Sequence, residues 1–64
     1  MKVRARELKA GQMIRFEYGD YDNFVRGRVL TAEAGEIQTK ITADMYGKPQ
    51  ELIFRSTELV EVIE

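Results

Sequence analysis

Apolar and polar residues alternate along most of this chain, the spacing of strands with one buried face rather than of helices. Gln12–Tyr18 reads as a first strand, with Ile14, Phe16 and Tyr18 on one face and Met13, Arg15 and Glu17 on the other. Gly19-Asp20-Tyr21-Asp22-Asn23 has the composition of a loop. Phe24–Ala32 follows as a second strand, setting Val25, Gly27, Val29 and Thr31 against Phe24, Arg26, Arg28 and Leu30. Gly27 predicts a bulge or sharp bend there. Glu33-Ala34-Gly35 predicts a tight hairpin with Gly35 at positive φ. Glu36–Ala43 is the third strand, with Ile37, Thr39, Ile41 and Ala43 on one face. Asp44–Lys48 turns the chain, and Pro49 suits the start of a fourth strand, Gln50–Arg55, centred on Leu52 and Phe54. A 3₁₀ turn at Ser56-Thr57-Glu58 precedes the closing strand Leu59–Ile63, and Ala5–Ala10 reads as a short opening turn ended by Gly11.

Five short strands and no helix of any length predict an all-β fold, a small SH3-like barrel. Closure would remove the open edges that a flat sheet of this size would expose. With 64 residues the expectation is one domain over residues 1–64 with one modest core.

Composition narrows the chemistry. There is no cysteine and no histidine, and Ser56 is the only serine. Disulfides and the usual Cys/His metal sites are excluded, and no cofactor is expected. A general base near neutral pH is usually histidine, and Ser56 has none to activate it, so the chain is expected not to be an enzyme. Asp20-Tyr21-Asp22-Asn23 resembles the start of a calcium loop, but positions six and twelve would be Val25 and Thr31 rather than Gly and Glu. Gly47-Lys48 lacks the remaining residues of a phosphate-binding loop, with Thr42 and Pro49 at the required positions. No signal-peptide pattern or membrane-length apolar run is present, so a cytoplasmic protein is expected.

Charge adds the one functional lead. The net charge is −1, yet residues 1–30 hold seven Lys/Arg against four Asp/Glu, and residues 31–64 hold three against seven. Arg26 and Arg28 share a strand face with Phe24 and Leu30, and Arg15 projects from the neighbouring strand. Arginines contact phosphates bidentately and aromatics stack on unpaired bases. The plainer reading is a solvated outer face paired with Glu17, Glu36 and Glu51. Tyr21 and Tyr46 stand in loops whose turn chemistry asks for no aromatic, and an antiparallel meander brings those loops to one end. They are either a contact rim or lids over the core.

The run Thr39-Lys40, Gly47-Lys48, Glu51, Phe54-Arg55, Glu58 and Val60-Glu61 resembles the N-terminal KOW-like barrel of bacterial elongation factor P and its eukaryotic relative. Gly11 followed by Met13-Ile14, and Tyr21, match that family more loosely. The resemblance implies an SH3-like fold and work on RNA or the ribosome. Two departures limit it: the 64 residues are expected to form only one of the family's β-barrel domains, and the basic residue at its loop tip has no counterpart. Leu30-Thr31-Ala32-Glu33-Ala34-Gly35-Glu36 stands at that loop, with no Lys or Arg between Arg28 and Lys40. The resemblance thus implies binding without stimulation of peptide-bond formation.

Two functional expectations follow. The first is a non-catalytic module binding RNA or a ribonucleoprotein in translation or transcription, through Arg15, Tyr21, Arg26, Arg28 and Tyr46, with Lys40 and Lys48 as outer contacts. The second is an SH3-like protein–protein adaptor, of phage or host regulatory type, that uses the loop tyrosines. Outward-facing Met13, Leu30, Ile53 and Ile63 leave a monomer and a weak dimer both open.

Overall fold

The computed structural model describes residues 1–17 and 24–63. Tyr18 and Tyr21, assigned above to the first strand and first loop, lie outside the described residues. Six strands follow one another: β1 Lys2–Arg4, β2 Met13–Glu17, β3 Phe24–Ala34, β4 Gln38–Met45, β5 Lys48–Arg55 and β6 Leu59–Val62. A 3₁₀ turn, Ala5–Glu7, separates β1 from β2. All pairings are antiparallel, in the order β1-β6-β2-β3-β4-β5. The all-β expectation holds.

Alternation does what the sequence asked of it. Ile14 and Phe16 of β2, Val29 of β3, Ile41, Ala43 and Met45 of β4, Leu52 of β5, and Val60 and Val62 of β6 point inward as one core. Ala5, the first residue of the 3₁₀ turn, and Leu8, just after it, cap the core. Burying such a side chain stabilises by roughly 1.5–3 kcal/mol.

The eleven-residue β3 makes a single sheet sufficient. Its first half pairs with β2 and its second with β4, and Arg28 stands opposite both Met13 and Asp44. The register slips between Val29 and Thr31, leaving Leu30 as the extra residue of a bulge. Beyond it, Ala32 faces the core and Thr31 faces out, the reverse of the uninterrupted alternation expected. The bulge is therefore at Leu30, not Gly27. Gly27 serves packing instead: a Cβ there would lie 3.2 Å from Ala43 Cβ and 3.2 Å from Met45 Cγ.

The sheet curls without closing. Phe16 of β2 and Phe54 of β5 meet edge to face at 6.2 Å, but no hydrogen-bonded ladder joins β5 to β1 or β6 among the described residues. The result is a curled six-stranded sheet rather than a closed five-stranded barrel. Edge strand β5 is blunted at both ends. Pro49 has no N–H to offer, while the Arg55 N–H donates to Glu58 Oε1 (3.4 Å) and the Arg55 carbonyl accepts from Glu58 N–H (2.9 Å).

Several local expectations change. The three-residue β1 is too short to show a period, and its register with β6 becomes visible only in three dimensions. The 3₁₀ turn is at Ala5–Glu7, closed by Leu8 N–H on the Ala5 carbonyl (3.1 Å), whereas Ser56-Thr57 is a simple turn. β3 extends to Ala34, so the loop is Gly35–Ile37 and Ile37 is 80% exposed rather than in the core. Gly35 is not at positive φ; a Cβ there would lie 2.5 Å from the Gln38 carbonyl oxygen, so close approach demands the glycine.

Ser56 joins these pieces. Its hydroxyl donates to the Gly35 carbonyl (2.6 Å), which leaves Thr39 Oγ1 as donor in the 2.9 Å bond to Ser56 Oγ. Ser56 N–H donates to the Ile37 carbonyl, and its own carbonyl accepts from Arg6 N–H. Both hydroxyl residues are fully buried. Replacing Ser56 by Ala leaves the buried Thr39 hydroxyl and the Gly35 carbonyl short of a partner. The expected cost is about 1–3 kcal/mol, read as a lower urea midpoint at unchanged slope. An unchanged midpoint would show that the chain contributes nothing to stability.

Candidate functional site

The outer surface divides by charge. On the β1-β6-β2-β3 half, outward positions hold five cations (Lys2, Arg4, Arg15, Arg26, Arg28) and three carboxylates (Glu17, Glu33, Glu61). On the β4-β5 half, Lys40 Nζ is engaged with Glu51 at 3.3 Å, both side chains about half exposed, an arrangement of small energetic worth. The cations of β1, β2 and β3 thus share one outer face, with β6 from the second half of the sequence inserted between β1 and β2.

Register places Arg15 directly opposite Arg26. Like charges facing each other across two strands are destabilising. Glu61 stands on the other side of Arg15, and its carboxylate is 4.0 Å from the N-terminal amine. The Arg15 guanidinium lies over the ring of Phe24, 4.6 Å from its centroid. That cation–π contact is worth about 0.5–1 kcal/mol at an exposed site. Neither Arg15 nor Arg26 forms an ion pair with a carboxylate among the described residues.

Arg28 differs from its neighbours. Its Nη1 donates to the Gly11 carbonyl at 2.7 Å, and the side chain is half-buried. Gly11 has φ +94 and its N–H donates to the Val29 carbonyl, so Arg28 pins the approach to β2 against β3. Sequence spacing put Arg28 beside Arg26 on one face, correctly, but could not show that it is held by the backbone.

A groove opens beside Arg15. Phe16, Phe24, Phe54 and Leu59 form its apolar lining, with Lys2 and Arg15 among the cations at its rim and Glu17, Glu58 and Glu61 the carboxylates. Its volume is about 240 Å³. All three phenylalanines of the chain meet here, contributed by β2, β3 and β5. Phe24 is 57% exposed and Leu59 59%. Period-two reading put Phe16 with Ile14 on one strand and Phe24 with Arg26 on the next, and set no relation between the two rings. It missed the groove because the gap between β5 and β6 exposes both faces together.

At the other candidate rim, Tyr46 and Gly47 form the two-residue turn between β4 and β5, with φ of +55 and +82. Positive φ at both positions is the signature of a type I′ turn, where Asn-Gly is the usual pair. Tyr46 is 86% exposed, beside an open apolar hollow of about 360 Å³ lined by Val25, Met45, Tyr46, Lys48 and Gln50. Tyr46 is therefore no lid over the core. Lys48 sits with it, while Lys40 is on the far half of the surface. Tyr21 lies outside the described residues.

Among the described residues no cluster of His, Cys, Asp or Glu is placed to hold a metal ion, and no helix is long and apolar enough to cross a membrane. The left-handed conformation of Tyr46 yields a direct prediction. Tyr46→Asn relieves backbone strain at a fully solvated position and should raise stability by about 1 kcal/mol in denaturant melts. A loss of stability would mean that the ring contributes packing its exposure conceals. Comparison with family models, with characterised proteins and with solved structures gave no match, so the function rests on the geometry of this surface.

Proposed function

We propose that the chain is a non-catalytic binding module whose ligand is RNA, alone or in a ribonucleoprotein, held on the outer face of β2 and β3. The observation that carries this reading is the Arg15–Arg26 pair. Two arginines face each other across adjacent strands, without a carboxylate partner among the described residues, beside an exposed phenylalanine. In so small a domain such a pair costs stability, and a polyanion converts the cost into affinity. Phe24 supplies the aromatic surface that unpaired bases use and that double helices do not.

The strand order supports an SH3-like assignment. Strands β2 to β5 form a meander and β6 returns beside β2, with β1 added outside. The elongation-factor resemblance runs from β4 to β6 and stays compatible with work in translation or transcription, in the cytoplasm. Arg15 and Arg26 are the principal phosphate contacts in this reading. Arg28 holds their strands in place, and Lys40 lies outside the interface.

One observation favours the adaptor reading: the strained, exposed Tyr46 beside its apolar hollow. The two readings rank variants in opposite order. In the RNA reading, Arg15→Glu with Arg26→Glu abolishes binding of a short single-stranded RNA, and Lys40→Glu and Tyr46→Ala change it less than about twofold. Affinity should fall steeply between 50 and 200 mM salt as released counterions are lost as a driving force. Fluorescence anisotropy with the full chain measures both. Salt-independent binding, or binding that survives the double reversal, contradicts the proposal.

A further inference from the structure

The aromatic groove is the feature that a basic face alone leaves unexplained. Phosphate attraction needs arginines but not the convergence of all three phenylalanines, nor carboxylates among the cations. An RNA site built only for the backbone would exclude acidic groups, because they repel the same phosphates. A single unpaired nucleotide accounts for all of it, with an anionic phosphate at one end and a flat, hydrogen-bonding base at the other. Resting on the RNA reading above, we propose that this groove takes one unpaired nucleobase and prefers guanine.

The size suits one base. A volume of about 240 Å³ lies below the roughly 300–1,000 Å³ typical of pockets for larger ligands. The base stacks on the exposed Phe24 ring, or on the Arg15 guanidinium that lies against it, both of which accept any base by its face. Arg15 and Lys2 at the rim then meet the flanking phosphates.

The preference comes from Glu17. Of the three rim carboxylates, Glu58 Oε1 accepts the Arg55 N–H, and Glu61 faces the N-terminal amine and stands across from Lys2 and Arg15. Glu17 is exposed, directly opposite Phe24 in the register, and has no ion pair among the described residues. An ionised carboxylate only accepts hydrogen bonds, with two oxygens side by side. Guanine offers two adjacent donors, N1–H and the N2 amino group, in the matching arrangement. Uracil offers one ring N–H, and adenine and cytosine each set an amino group beside a ring acceptor that a carboxylate repels.

The test uses the full chain and a heptauridylate whose central residue is U, G, A or C, titrated by fluorescence anisotropy at constant low salt. The G-bearing oligonucleotide should bind about fivefold or more tighter than the other three, the lower end of a good bidentate contact. Glu17→Gln replaces one acceptor with a donor and removes a charge that repels phosphates, so it should erase the preference for G, bringing the four affinities within about twofold of one another. Phe24→Ala should weaken all four strands together by about fivefold or more. Both side chains are exposed, and a thermal melt confirms that each variant folds. Should either variant unfold, the ranking of the four strands by the unaltered protein still decides. Equal affinity for all four overturns the base site while leaving the basic-face reading in place. No binding to any of them overturns both.

Discussion

One strand has to serve two halves of the sheet, and everything else in this molecule depends on how it does so. β3 pairs with β2 through Arg28 and with β4 from Arg28 onward, so the curl that encloses the core is made within a single run of backbone. The Leu30 bulge supplies local twist, and Gly27 lets Ala43 and Met45 press against the strand where a methyl group would push them away. A chain of this size has no second layer to bury its inner face, so the sheet must bury its own. The Thr39–Ser56–Gly35 hydroxyl chain then fixes the turn after β5 to the loop after β3. Phe16 and Phe54 fill the remaining gap with aromatic edges instead of backbone bonds.

Much of this was legible in the residues, for an identifiable reason. Wherever one face is buried and the register unbroken, alternation reports the core, as at Ile14 and Phe16, at Thr39, Ile41 and Ala43, and at Leu52. It failed where a local device changes the phase. Leu30 inverts the second half of β3, and Ile37, apolar and in step, turns out to be a solvated loop residue. Glycines were misread because spacing cannot distinguish a need for positive φ from a need for space. Gly47 answers the first need, Gly27 and Gly35 the second. The residues carrying the elongation-factor resemblance include buried Thr39 and Val60, half-buried Phe54 and positive-φ Gly47. Each is demanded by the sheet itself.

The candidate site was legible in part. A shared face for Arg15 and Arg26 follows from strand alternation once the two strands are neighbours, and the charge bias of residues 1–30 pointed to that surface, whereas their direct opposition needed the register. The groove could not be read from the chain, because it depends on an open gap between β5 and β6 bringing Phe54 and Leu59 beside Phe16 and Phe24. The incomplete closure that departs from the expected barrel is thus also what creates the concave surface. The rings that stand in for the missing ladder also line the groove.

In the proposed function, RNA meets the molecule on the face of Arg15, Phe24 and Arg26 and in the groove beside it. Amide chemical-shift mapping of the full chain, titrated with the G-centred heptanucleotide, tests it most directly. Shifts confined to Arg15–Glu17, Phe24–Arg26 and Leu59–Glu61, vanishing at high salt, are the result predicted. Shifts centred on Tyr46, Gly47 and Lys48, or a spectrum unmoved by RNA at low salt, would contradict it.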